Sequence, residues 1–265
     1  MEQIQASPDR PHGPPDLAMP TLAMLRTALG AGWRDFLAAP TFGLVAGAAC
    51  VLAGWVMVAI TAASGNTFWF VLAVFAFPMA APFAAFGTYE VSRRRARGAS
   101  TGFKDILKVL WAERGGQLPW LNALMVVVLL FWFFLGHMIF ALFLGLKPMT
   151  NIMSSGEVFL SPNGLAMLAM GTFVGGCFAL LFYAVCVIGL PMLLDRDVDY
   201  VTAMIRSVGV VIHNPVPMLA WAALVAIALF LAMLPGFLGL LLVLPWLGHA
   251  SWHLYDQLRQ AGAQA

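Results

Sequence analysis

LPWLNALMVVVLLFWFFLGHMIFALFLGL, from Leu118 to Leu146, contains no Asp, Glu, Lys or Arg. A helix rises ~1.5 Å per residue, so about 20 apolar residues cross the hydrocarbon core of a bilayer, and this stretch exceeds that length. The same absence of charge recurs on both sides of it, in Thr41–Ala63, Thr67–Tyr89, Gly164–Leu194 and Val216–Trp252. The last stretch is too long for one crossing and is cut by Pro235-Gly236, which predicts two helices there. The expected fold is all-α: a polytopic membrane protein of six transmembrane helices.

Composition agrees. Of 265 residues, 62% are hydrophobic and 10% charged, against roughly 25% charged in soluble domains. Cys50, Cys177 and Cys186 all lie inside apolar stretches, without the spacing of a disulfide framework or a zinc site. No metal or other cofactor is expected, and no nucleic-acid partner.

The placement of charge sets the expected orientation. Of the 14 lysines and arginines, all but Lys147 fall in the N-terminal region, between the second and third apolar stretches, after the fourth, or in the C-terminal tail. Positive residues in short loops stay on the cytoplasmic side. Both termini are therefore expected in the cytoplasm, with Ser64-Gly65-Asn66, Lys147 to Asn163 and Pro235-Gly236 facing out. Met1 to Met19 is polar, with Pro8, Pro11, Pro14 and Pro15, and lacks the basic and apolar regions of a signal peptide. The expected organisation is a disordered cytoplasmic tail over 1–20, a membrane domain over 21–255 and a cytoplasmic tail over 256–265.

Each pair of membrane helices follows an amphipathic segment. Leu22, Leu25, Leu29, Trp33 and Phe36 line one face of the first, opposite Arg26, Gly30 and Arg34. Ser100 or Thr101 is placed to cap the second, whose stripe is Phe103, Ile106, Leu107, Leu110 and Trp111, opposite Lys104, Asp105 and Lys108. Asp199 is placed to cap the third, with Val201, Met204, Ile205, Val208 and Ile212 against Thr202 and Arg206. These segments exit near Pro40, Pro119 and Pro215, and the outgoing helices carry Pro82, Pro191 and Pro245. The chain reads as three copies of an interfacial helix followed by a transmembrane hairpin, with the interfacial helices in the cytoplasmic headgroup layer and against the bundle.

The candidate site is a charge network at the cytoplasmic boundary. Arg93, Arg94, Arg95 and Arg97 close the second apolar stretch, and Glu90 is spaced to pair with Arg93 or Arg94. Asp195, Arg196, Asp197 and Asp199 close the fourth. Their roles are to hold anionic lipid headgroups or to fix topology, with Asp195 or Asp197 meeting the arginines. The alternating carboxylates do not make a calcium loop, because the sixth and twelfth positions are Tyr200 and Arg206. His249 and His253 stand one turn apart, but His12, His137 and His213 are scattered and complete no metal site. Gly43-xxx-Gly47 and Gly171-xxx-Gly175 mark close helix packing.

At Tyr89-Glu90-x-Ser92-Arg93-Arg94, Pro191 to Asp199, and Leu244 to Tyr255, with Gly32-Trp33-Arg34-Asp35 before them, the chain resembles an uncharacterised proteobacterial family of integral membrane proteins, catalogued as a domain of unknown function. Its layout is similar to the membrane part of some glycerophosphodiester phosphodiesterases, which is not catalytic. Members have been labelled cytochrome c oxidase subunit I, but a haem-copper core needs about six inward histidines and about twelve helices. The resemblance implies a bacterial inner-membrane protein and no activity.

No nucleophile or acid–base set marks an enzyme. Coupled transport keeps an ionisable group at membrane depth, which these stretches lack. A scaffold or assembly partner for membrane proteins or anionic lipids is the expected function, and an uncoupled transporter, pore or lipid-handling protein is the alternative.

Overall fold

The computed structural model describes residues 10–64, 84–145 and 156–264. Local chemistry starts most helices. The Thr21 hydroxyl accepts from the Met24 N–H and opens α1 (Leu22–Ala38). Pro40, without an N–H, starts α2 (Pro40–Ser64). Residues 84–96 form α3. The helix α4 (Phe103–Ala112) is not capped by Ser100 or Thr101: the Ser100 hydroxyl donates to Asp105 instead, and the Gly102 carbonyl receives the first helical N–H groups. A 3₁₀ turn (Glu113–Gly115) leads to α5 (Leu118–Leu144), with Pro119 in its first turn. After α6 (Gly156–Leu160), Ser161 caps α7 (Pro162–Asp195). Asp199 caps α8 (Tyr200–His213), accepting from the Thr202 N–H at 2.9 Å as its spacing predicts. The chain ends with α9 (Pro215–Met233) and α10 (Leu240–Gly262). Among the described residues all regular elements are helical, apart from an isolated bridge between His12 and Asp197.

Four of these helices are long and apolar enough to cross a bilayer: Pro40–Ile60, Leu118–Leu144, Pro162–Asp195 and Pro215–Met233. The expected span over 67–89 falls largely on 65–83, outside the described residues. In α10 the apolar part is short, because Asp256 and Arg259 follow Trp252 within the same helix. The turn at Pro235-Gly236 is present, with Gly236 and Phe237 at positive φ, and the Trp55 indole donates to the Gly236 carbonyl.

The buried core sits at one end of the bundle. It gathers Phe86 and Tyr89 of α3, Leu118 and Leu121 at the start of α5, Ala184 to Leu194 at the end of α7, Met218 and Trp221 at the start of α9, and Ala250 to Leu258 of α10. At ~1.5 Å per residue, the 34 residues of α7 exceed the ~30 Å hydrocarbon thickness, so one end has to project beyond it. The buried end bears Asp195, which identifies it as the projecting end. The opposite ends leave Phe131, Phe134, Leu142, Leu165, Phe173, Phe230 and Leu234 uncovered by protein.

Two sequence expectations change here. Residues 10–20 belong to the stretch expected to be disordered, yet Pro11 and Gly13 bond the backbone of Asp197, and the Ala18 N–H donates to the Leu258 carbonyl. Main-chain pairing holds this segment, with Pro15 and Pro20 buried and Leu17 packed against the core. Residues 256–262, expected as a tail, are the last two turns of α10, anchored by the fully buried Leu258.

The amphipathic helices also turn differently from their apolar stripes. In α1 the buried line is Leu25, Ala28, Gly32 and Asp35 with Phe36, whereas Leu22 and Trp33 are exposed. In α4, Ile106 is buried, and Leu107 and Trp111 are exposed. In α8, Ala203, Ser207 and Val211 are buried, and Val201, Ile205 and Ile212 are exposed. Small residues win the buried seam of α1 and α8 because they let backbones approach. A Cβ on Gly32 would stand 2.5 Å from the Ala250 nitrogen of α10. The Ser207 hydroxyl bridges the Ala184 carbonyl, at 2.6 Å, and the Ile188 N–H, at 3.1 Å, entering the hydrogen-bond ladder of α7.

Candidate functional site

The charged residues at the buried end form a closed circuit through four helices. Asp35 of α1 accepts from His253 of α10 at 2.7 Å. Two residues on, the Tyr255 hydroxyl donates to Asp195 of α7 at 3.0 Å. The neighbouring Leu194 carbonyl accepts from Arg93 of α3 at 3.4 Å. Arg95, also on α3, returns to Asp35 at 2.9 Å. The order α1–α10–α7–α3–α1 is thus locked by hydrogen bonds, two of them to the Asp35 carboxylate, one from a phenol and one to a main-chain carbonyl.

Each buried carboxylate in this end has a cation against it. Glu90 is only 1% exposed and takes Arg93 at 2.7 Å and Arg94 at 2.6 Å from its own helix. Its buried charge would be costly alone, and two arginines within one turn satisfy both oxygens. Arg94 also donates to the Ser100 carbonyl and so fixes the turn that leads to α4. Asp195 takes Arg196 at 3.3 Å, with Arg259 at 3.5 Å. Glu113 pairs with Arg10, whose guanidinium also donates to the Leu193 carbonyl, so the N-terminal segment is tied to α7.

Proton affinities follow from these contacts. Burial alone would raise the Asp35 carboxyl, but hydrogen bonds from His253, Ser92 and Arg95 outweigh it and hold the group well below the usual carboxylate range. Burial, and then the Asp195 charge, push the Tyr255 phenol far up. Tyr255 therefore acts here as a hydrogen-bond donor. Asp199 is lowered by the Thr202 hydroxyl and N–H.

The eight residues singled out in the sequence separate into two groups. Arg93, Arg94, Arg95, Asp195 and Arg196 join the interior network. Arg97 is exposed at the end of α3. Asp197 accepts from exposed His12 at 2.8 Å, and Asp199 is occupied as a helix cap. Asp195 meets Tyr255, Arg196 and Arg259, while α3 reaches that end of α7 through Arg93 on a backbone carbonyl.

Asp35, Glu113, His253 and Tyr255 were not among them. Asp35 had a readable signal, since it continues the Leu25, Ala28, Gly32 line at helical spacing and puts an acid on a buried seam. The two neighbouring histidines divide their work: His249 Nδ1 bonds the Ser92 hydroxyl at 2.8 Å, whereas His253 faces Asp35. No group of three or more metal-ligating side chains occurs among the described residues.

At the other end, α5 and α7 flank an open apolar groove of about 630 Å³, lined by Trp132, Gly136, Phe140, Met167, Gly171 and Gly175. Gly43 and Gly47 of α2 touch α10 closely, at Pro245 and Leu241, as their spacing predicts. Gly171 and Gly176 of α7 face open space instead.

No curated protein and no solved structure matches the chain. The chain is an integral membrane protein with several apolar helices, and its residues 69–195, which include Glu90 to Arg97 and Asp195, match the model of a family described as predicted integral membrane protein (DUF2189).

Proposed function

We propose that the chain is a non-enzymatic multi-pass protein of the bacterial inner membrane that acts as a scaffold or assembly partner for other membrane proteins and anionic lipids. In this reading the helices form three hairpins, six crossings in all, each preceded by an interfacial helix. Both termini are cytoplasmic, in keeping with the distribution of Lys and Arg. The threefold recurrence of amphipathic helix, proline and span is the imprint of an internal repeat.

The observation that carries this proposal is the closed circuit through Asp35, His253, Tyr255, Asp195, Leu194, Arg93 and Arg95. It commits charged side chains to fixing helix ends against one another. A catalytic base or nucleophile would need an open partner position. A scaffold needs what this circuit supplies, a fixed base under apolar helices whose outer faces meet lipid or neighbouring proteins.

The test is purification of the tagged full-length chain from its own membranes in mild detergent, with mass spectrometry of retained proteins and lipids. A stable membrane-protein partner or anionic lipid is expected with the wild type, and loss of it with Asp35→Asn. Solute flux from purified protein in vesicles, above empty controls and with neither partner nor lipid retained, would overturn the scaffold. It would establish the second reading, an uncoupled transporter, pore or lipid-handling protein, for which the open apolar groove between α5 and α7 is the supporting observation.

A further inference from the structure

We infer that the outward face of α4, formed by Lys104, Leu107, Lys108 and Trp111 and continued by Arg114, is a binding site for anionic phospholipid headgroups. This deepens the scaffold proposal by naming one partner and its residues, and it rests on that reading only for the biological role.

The face is left over after protein packing. Ile106 is fully buried with Phe42 and Val91, and Phe103 and Leu110 pack on the same cluster. Leu107 and Trp111, one turn apart, remain 43% and 67% exposed. The apolar side of α4 is one broad sector, and protein covers only the Phe103, Ile106 and Leu110 part of it.

Position along the chain identifies what covers the other. The spanning helix α5 begins at Leu118, seven residues after Trp111, so α4 lies where the chain enters the bilayer. Trp120, in the first turn of α5, is 63% exposed. Tryptophan is enriched at membrane–water boundaries, where its ring sits among headgroups. The same leftover pattern recurs at Trp33 and Leu37 of α1 and at Ile205 and Ile212 of α8, each beside an arginine, Arg34 or Arg206.

Charge identifies the lipid. Lys104, Lys108 and Arg114 are all exposed, and the Arg114 guanidinium lies 4.1 Å over the Trp111 ring, at the edge of the apolar strip. The acid of this helix, Asp105, is turned away and accepts from Ser100. Arg93, Arg94 and Arg95, by contrast, are committed to Glu90 and Asp35. Among the described residues, Lys104 and Lys108 of α4 and Arg114 of the turn after it are a cluster of exposed basic side chains outside the ion pairs of the interior network.

The experiment uses full-length protein reconstituted without any partner into vesicles of phosphatidylcholine alone, or of phosphatidylcholine with phosphatidylglycerol. Hydrogen exchange is read on the peptide covering α4. Exchange should slow at least about fivefold with phosphatidylglycerol, and high salt should reverse that protection, because surface charges are screened. The triple variant Lys104→Gln, Lys108→Gln, Arg114→Gln should lose the difference. Lys104→Arg with Lys108→Arg should keep it, which separates charge from helix damage. Equal exchange in both vesicles, or a response of the triple variant like that of the wild type, overturns the inference. Protection that depends on protein density in vesicles of either composition assigns the face to a second copy and also overturns it. Since no partner is present, these outcomes are independent of whether the scaffold test succeeds.

Discussion

Asp35 and His253 lie 218 residues apart in the chain and 2.7 Å apart in the fold, joining the first helix to the last. The same carboxylate holds Arg95 of α3, so one acidic side chain sets the relation of three helices. Removing it strands two cationic or hydrogen-bonding groups at once.

Asp35→Asn should therefore destabilise the protein by about 2–3 kcal/mol. This is at or below the ~3–5 kcal/mol of a fully buried broken pair, because Arg95 keeps part of its side chain in water. The measurement is thermal unfolding in detergent. It also has a pH signature. The folded Asp35 carboxyl lies below its unfolded value of ~4. Its contribution is thus fully present above about pH 5 and lost as pH falls through the unfolded value toward the folded one. Wild-type stability should drop more steeply than that of Asp35→Asn below about pH 4, and parallel curves would exclude Asp35 as the source.

Glu90→Gln should cost about 3 kcal/mol, as it leaves Arg93 and Arg94 without a carboxylate in a largely buried place. A double-mutant cycle with Arg94→Gln should recover part of that loss, since the two changes remove one interaction. Strictly additive losses would show that Glu90 acts apart from its arginines.

Gly32→Ala should separate α1 from α10. The added Cβ meets backbone and Cβ atoms of Ala250 at 2.5 to 2.8 Å, which cannot rotate away, so overpacking of about 1–3 kcal/mol is expected. Gly30→Ala, on the same helix with open space around it, should be neutral or slightly stabilising. Limited proteolysis of the N-terminal region reads the difference directly.

Reporter fusions after Ala99, Asn214 and Ala265 should give cytoplasmic signals, and fusions at Gly65 and Ser155 periplasmic ones. A periplasmic signal after Ala265 together with a cytoplasmic one after Ala99 would require an odd number of crossings between them and would refute the three-hairpin arrangement.

What the sequence alone determined are the features settled within one turn of helix or one bilayer thickness. Uncharged stretches from Leu118 to Leu146 and Gly164 to Leu194 dictate helices, because unpaired backbone groups in lipid are too costly. Asp199 caps α8, and Glu90 meets Arg93 and Arg94, each within four residues. Tertiary structure alone decided which strip of α1, α4 and α8 is buried, that Asp35 and His253 meet, and that His249 turns to Ser92. The physical reason is that an amphipathic pattern reports only how apolar a face is. Protein and lipid boundary both accept apolar side chains, so hydropathy cannot tell them apart. Backbone approach at Gly32 and charge pairing between helices distant in the chain decide the matter, and both depend on shapes that exist only once the helices have assembled.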